Sequence, residues 1–267
     1  MSAQDKVSTA NALLSEAFEQ LNDELTHETS RRRGALAQEC WDLRLKTGEL
    51  REYFSQSGQD WYVDQILLCQ KRNGVFVDVG GYDGATNSNS LFFEVFRGWD
   101  GVVVEALPDN CARARAVRRC ACVEAVVSGD QGEHAFLSVE EGYLQMSGRV
   151  DTYDPGILER LRANPRHRES VTMRPSRTLP DILGELEISH IDYLSLDIEG
   201  SELEVLRSFP FDRFSVLALS IENHSGTQEI HEIMTAAGFR LVEFLGYDEI
   251  YFRSDAFAEL SAANPPD

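Results

Sequence analysis

The chain has 267 residues, 42% hydrophobic and 26% charged, enough for one globular domain with an extension. A net charge of −20 excludes the basic footprint that nucleic-acid binding needs, and no apolar run approaches the roughly 18 residues of a membrane span. Met1-Ser2-Ala3-Gln4-Asp5 lacks the basic and apolar regions of a secretory signal, and the five cysteines show no zinc spacing, so free thiols in a reducing cytoplasm are expected.

Residues 8–52 read as two amphipathic helices. Leu14, Phe18, Leu21 and Leu25 recur at spacings of four, three and four. The stripe breaks at Glu28 and Arg31-Arg32-Arg33 and resumes at Leu36, Cys40 and Leu43. Such helices pack on the body or meet a second subunit, which allows a homo-oligomer through this extension (1–52). A domain is expected over 53–255, then a flexible tail over 256–267.

Trp61 to Cys69 reads as a helix, and Val75 to Val79 as a β-branched strand running into Gly80-Gly81-Tyr82-Asp83-Gly84. A glycine turn at the carboxyl edge of a parallel sheet lets the backbone approach a ligand closely. Dinucleotide binding wants G-x-G-x-x-G, but Tyr82 holds the place of the second glycine and would obstruct a pyrophosphate. S-adenosylmethionine carries no phosphate, and Asp78 and Asp83 suit its ammonium and sulfonium.

A helix is expected over 88–97 and a strand over 102–104, ended by Glu105. Since 105 − 84 = 21, Glu105 stands about 20 positions past the glycines, where a ribose hydroxyl is held. A helix over 109–119 precedes a strand over 122–127, whose end at Ala125, Val126 and Ser128 can flank an adenine. Between Arg149 and Arg177, seven arginines face four acids. That stretch is either a solvated loop or a substrate lid that meets an anionic group.

Strands over 191–196 and 215–221 alternate with helices over 200–208 and 227–237, and a hairpin over 240–253 closes the pattern. Alternation of this kind implies a parallel sheet with right-handed crossovers. The two strands end in Asp197-Ile198-Glu199-Gly200-Ser201-Glu202 and in Glu222-Asn223-His224. Asp197, Glu199 and His224 are therefore candidate catalytic groups, and Glu202 serves the start of a helix. A hydroxyl acceptor must lose its proton to a base such as His224, or to a metal such as Mg²⁺ held by Asp197 and Glu222. Residues alone leave this choice open.

Together these segments resemble the FkbM family of S-adenosylmethionine-dependent methyltransferases. The resemblance rests on Ser55-Gln56-x-Gly58-Gln59-Asp60, Val77-Asp78-Val79-Gly80-x-Tyr82-Asp83-Gly84, Ser88-Asn89-Ser90 before Phe93-Glu94, and Gly101 with Glu105. It continues in Thr178-Leu179-x-Asp181-Ile182-Leu183, Leu194-Ser195-Leu196-Asp197-Ile198-Glu199-Gly200-x-Glu202 and Ile221-Glu222. Residues from about 53 to 253 are covered, whereas 149–177 and the amino-terminal helices match nothing. Gly81 and Ala106 stand where many members have alanine and proline. What the resemblance implies is an α/β fold: a class I methyltransferase (Rossmann-like) mostly parallel sheet flanked by helices, with an N-terminal helical extension. It also implies O-methylation of a sugar, glycolipid or secondary metabolite, with Gln56 and Gln59 closing over a cofactor that Asn89 and Ala106 also meet. Two rivals are an NAD-linked short-chain oxidoreductase and a non-catalytic scaffold assembling through its amino-terminal helices. Tyr82 and the lack of a Tyr-x-x-x-Lys pair oppose the first; Asp78, Gly80 and Glu105 together oppose the second.

Overall fold

A computed structural model describes residues 1–256; the expected tail from 257 onward lies outside the described residues. Two helices, α1 (Ala3–His27) and α2 (Arg32–Thr47), begin the chain. Ser2 caps α1 through a reciprocal capping box with Asp5, but α1 buries none of its residues. Helix α2 buries Leu36, Ala37, Cys40 and Trp41. The arginine cluster that reads as a break in the stripe is where α2 is fastened to the body. Arg31 pairs with Glu249, and Arg33 with Glu243, whose Oε2 accepts from Nη2 at 2.7 Å. The backbones then meet closely, since a Cβ on Gly34 would lie 2.2 Å from the Gly246 carbonyl oxygen.

The expected helix before the first strand is a short α3 (Gln59–Tyr62) continued by a π-helical turn, Val63–Leu67. Next come β1 (Val75–Val79), β2 (Asp100–Glu105), α4 (Pro108–Val117) and β3 (Ala121–Glu124). Between β1 and β2 the expected helix is mostly one π-helical turn, Phe93–Arg97, which Gly98 ends in left-handed conformation. Parallel pairing of β1 with β2 runs from Val75↔Asp100 to Val79↔Val104.

The strand expected over 122–127 is instead two. The chain leaves the sheet at Ala125, and β4 (Val126–Ser128) joins a second sheet. That sheet has the order β4-β7-β5-β6, from β5 (Glu133–Glu141), β6 (Gly148–Arg149) and β7 (Arg168–Thr178), with α5 (Pro155–Arg162) between the last two. A solvated loop does not describe 149–177; much of it is ordered strand and helix.

After α6 (Leu179–Glu185) the main sheet resumes with β8 (His190–Leu196), α7 (Glu202–Ser208), β9 (Ser215–Glu222) and α8 (Gln228–Ala236). It closes with β10 (Phe239–Leu245) and β11 (Asp248–Arg253). The seven strands run β10-β11-β9-β8-β1-β2-β3, with β11 antiparallel to both neighbours and the rest of the ladder from β9 to β3 parallel. This is the α/β class expected, with the switch in strand direction of connection between β1 and β8.

Both sheet faces are buried, as parallel strands require. Val77 and Val79 of β1 pack with Val102, Val104 and Leu196 on one face. Phe76, Val103 and Tyr193 pack on the other with Phe93 and Trp99. All five cysteines are free; Cys40 and Cys111 are buried, Cys120 and Cys122 half-buried and Cys69 exposed. Among the described residues no helix is long and apolar enough to cross a membrane.

Candidate functional site

The carboxyl ends of β1, β2, β8 and β9 border a cavity of about 320 Å³. Gly80 leaves β1 with φ of +92°, and a Cβ there would lie 1.6 Å from the carbonyl oxygen of Asp197. Only glycine lets the two strand ends meet this closely. Tyr82 follows at φ +48°, a left-handed conformation rare for a bulky residue. The strain is met by an anchor: its N–H donates to Glu105 Oε2 at 3.0 Å, while Leu107 N–H donates to Oε1 at 2.8 Å. The carboxylate at the tip of β2 is thereby fixed from both sides, and burial pushes its pKa up to about 7.

Gln56, Gln59, Asp78, Gly80, Tyr82, Asn89, Glu105, Ala106 and Ala125 all line this cavity. Asn89 donates to Ser195 Oγ at 2.9 Å, and Gln59 donates to Asp248 Oδ2 at 3.0 Å. The 55–60 segment is knotted by buried Asp60, which accepts from the amides of Phe54 at 2.7 Å and Trp61 at 2.8 Å.

Three expected cofactor residues lie elsewhere. Asp83 accepts from the amides of Ala85 at 3.0 Å and Thr86 at 2.7 Å, so its charge is spent within the turn. Gly84 packs against Ala114 and Arg118. Ser128, fully buried in β4, bonds Arg149 Nη1 at 2.8 Å and Glu204 at 3.2 Å. The break at Ala125 carries it into the second sheet.

On the β8–β9 side the cavity is lined by Asp197, which adjoins Gly80, and by Glu199, Glu222 and His224. His224 Nε2 lies 2.9 Å from Glu222 Oε1, and its ring rests 4.1 Å from that of Tyr247. Burial lowers the His224 pKa below its ordinary value, which keeps the imidazole neutral and able to accept a proton. Glu202 accepts from Ile198 N–H at 2.8 Å and Gly200 N–H at 3.0 Å, as a residue serving the start of α7 should. That helix begins at Glu202, two residues later than expected.

An Mg²⁺ pair of Asp197 and Glu222 fits poorly. The third carboxylate of that group is Glu202, whose oxygens are taken by backbone amides. Asp248 went unnoticed in the sequence. Its signal is the hairpin register, which sets it opposite Glu222 across β11 and β9. Asn110 and the 144–147 segment were also missed as cavity walls. Of the seven arginines, only Arg149 reaches the cavity, and it is paired with Asp151 and Glu204, each at 2.6 Å. Arg162 pairs with Glu169 and Arg177 with Glu185.

Burial pushes the pKa of Asp197 up to about 6, of Glu202 to about 7 and of Asp248 to about 8. The folded chain thus holds more protons than the unfolded chain, in which carboxyls titrate near about 4. Stability from these groups is fully present below about pH 4 and is lost as pH rises through about 6 to 8. Thermal unfolding of the ligand-free chain should therefore show a Tm that falls from about pH 5.5 to about pH 8.5. A Tm that rises across this window contradicts the assignment.

A family model described as the Methyltransferase FkbM domain matches residues 78–241. Among solved structures, the chain is similar to a methyltransferase FkbM from Methylobacillus flagellatus KT, with 15% identity and a TM-score of 0.43. That match covers 89% of this chain and 58% of the other. It is also similar to a TehB-like SAM-dependent methyltransferase from Corynebacterium glutamicum, with 10% identity, a TM-score of 0.39, and coverage of 81% and 97%. A precorrin-6y C5,15-methyltransferase from Geobacter metallireducens GS-15 gives 10% identity, a TM-score of 0.39, and coverage of 72% and 84%. No curated protein sequence matches the chain.

Proposed function

The chain belongs to the FkbM methyltransferase family, and from that premise we propose that it moves a methyl group from S-adenosylmethionine to a hydroxyl oxygen of a carbohydrate or secondary metabolite. The observation that carries this reading is the division of one cavity into two chemistries. The β1–β2 side holds the Gly80 turn and the anchored Glu105, and the β8–β9 side holds Asp197, Glu199, Glu222 and His224, with Gly80 and Asp197 adjoining where the two meet.

Glu105 holds the ribose hydroxyls, each of which donates to a carboxylate oxygen. The methionine part lies along Gly80 and Tyr82, with Asn89 and the 56–59 segment around it. Asp83 and Gly84 act from behind by holding the turn. The methyl carbon faces Asp197. Transfer is an in-line displacement: the acceptor oxygen bonds to the methyl carbon as the carbon–sulfur pair returns to sulfur. The hydroxyl proton passes to Asp197 or His224, which are ionised or neutral at pH 7 and able to take it. A pyrophosphate cofactor is disfavoured because the Tyr82 amide, which would face a phosphate, is bound to Glu105.

A radiolabelled methyl donor offered with sugars, sugar nucleotides and glycolipids tests the reading. Label on an acceptor oxygen is expected, with no competition from NAD. Label found solely on nitrogen or carbon acceptors overturns the hydroxyl assignment.

A further inference from the structure

We propose that Glu199, Glu222 and His224 bind one first-row divalent cation of the Mn²⁺ or Zn²⁺ kind. One ligand atom from each lies within 4.8 Å of the others. Glu199 is 9% exposed, and among the described residues no hydrogen-bond donor meets its carboxylate. An isolated buried carboxylate is expensive unless it is paired or meets a metal. No lysine or arginine among the described residues forms an ion pair with Glu199 or Glu222; the basic partner of Glu222 is His224.

The backbone fixes this arrangement. Glu199 sits at φ +55° and Gly200 at +106°, where a Cβ would lie 2.4 Å from the Thr152 carbonyl oxygen. The turn cannot relax to swing Glu199 into solvent without moving the segment before α5. His224 is braced by Tyr247 on one side. The cluster also forms the wall between the donor cavity and a second cavity of about 270 Å³, lined by Tyr153, Ile157 and Asn223. A cation here borders both cavities.

Two carboxylates and one imidazole leave open positions for water or an acceptor oxygen. The imidazole selects against Mg²⁺, whose ligands are oxygens, and favours a transition ion. The site itself does not depend on the methyl-transfer reading. Its role does: a bound cation lowers the pKa of an acceptor hydroxyl, and His224 as a ligand leaves the proton to Asp197.

The test uses the full chain, stripped with a chelator and titrated with MnCl₂ while free Mn²⁺ is followed by electron paramagnetic resonance. One Mn²⁺ per chain is expected. Glu199→Gln and His224→Ala should each weaken it at least about tenfold while S-adenosylhomocysteine affinity stays within about twofold, which also shows that the variants fold. Crystals of the unaltered chain soaked in ZnCl₂ give a reading independent of variants, an anomalous peak between the three side chains. No Mn²⁺ uptake, uptake indifferent to both substitutions, or an anomalous peak elsewhere overturns the proposal. Because Mn²⁺ uptake is read without donor or acceptor, failure here is distinct from failure of methyl transfer.

Discussion

Glu105→Ala should weaken S-adenosylhomocysteine binding by about 100-fold in a calorimetric titration, with little change in the unfolding temperature. Two ribose hydroxyls each lose a charge-assisted hydrogen bond, worth about 1.5 kcal/mol or more apiece, and a factor of ten is 1.4 kcal/mol. The amides of Tyr82 and Leu107 also lose their acceptor. Both residues are half-buried, within reach of water that can replace it, so the cost to stability is modest. Removing a carboxylate whose pKa is raised by burial offsets part of that cost. Glu105→Gln should fall between, since an amide accepts with one oxygen only. Affinity unchanged in Glu105→Ala would show that the ribose is held elsewhere.

Arg118→Met should produce the largest loss of stability of any single change considered. The guanidinium is fully buried and its Nε lies 2.8 Å from Glu94, itself 3% exposed. Nη1 donates to the Gly84 carbonyl at 3.1 Å and Nη2 to Ser90 Oγ at 3.0 Å, while Ser90 Oγ donates to Asp78. One side chain therefore ties the end of the glycine turn to Ser90 and, through it, to Asp78 in the cavity wall. Deleting one partner of a buried pair costs about 3–5 kcal/mol; Glu94 keeps the exposed Arg119 at 3.4 Å and its amide at 2.7 Å, so the lower end of that range is expected. For a domain of this size that is a fall in Tm of roughly 10 °C. Double replacement, Arg118→Met with Glu94→Leu, should recover part of the loss, which a double-mutant cycle measures. A fall of under about 2 °C in Arg118→Met would mean that the pair is not needed.

The sequence does not mark Arg118. Arg118 and Arg119 are adjacent at the end of α4, yet one is fully buried and the other 72% exposed. Both arginines bond Glu94, and only the three-dimensional placement of Gly84, Ser88 and Ser90 selects between them. By contrast, Gly80, Tyr82 and Glu105 are legible in one dimension. Strand, turn and acid are local devices whose spacing is set by the sheet itself. Asp197, Glu199, Glu222 and His224 converge because β8 and β9 are parallel neighbours, a consequence of alternating strands and helices.

What failed to show in the sequence has physical reasons. Asp83 reads as a ligand-facing charge, but a short acid beside free amides in a turn bonds them first. Ser128 follows Ala125 in what looks like one strand, and nothing local announces that the chain changes sheets there. The second sheet hides because β7 is a run of mostly half-buried or exposed polar residues, without a strict apolar alternation. Its arginines look like a free basic patch until the pairs with Asp151, Glu169, Glu185 and Glu204 are seen.

The most direct test of the account is a crystal structure of the chain with S-adenosylhomocysteine. The expected result is density in the cavity at the ends of β1 and β2, with both ribose hydroxyls on the Glu105 carboxylate and the sulfur directed at Asp197. A cavity left empty by S-adenosylhomocysteine but filled by NADH, or a ribose bound away from Glu105, contradicts it.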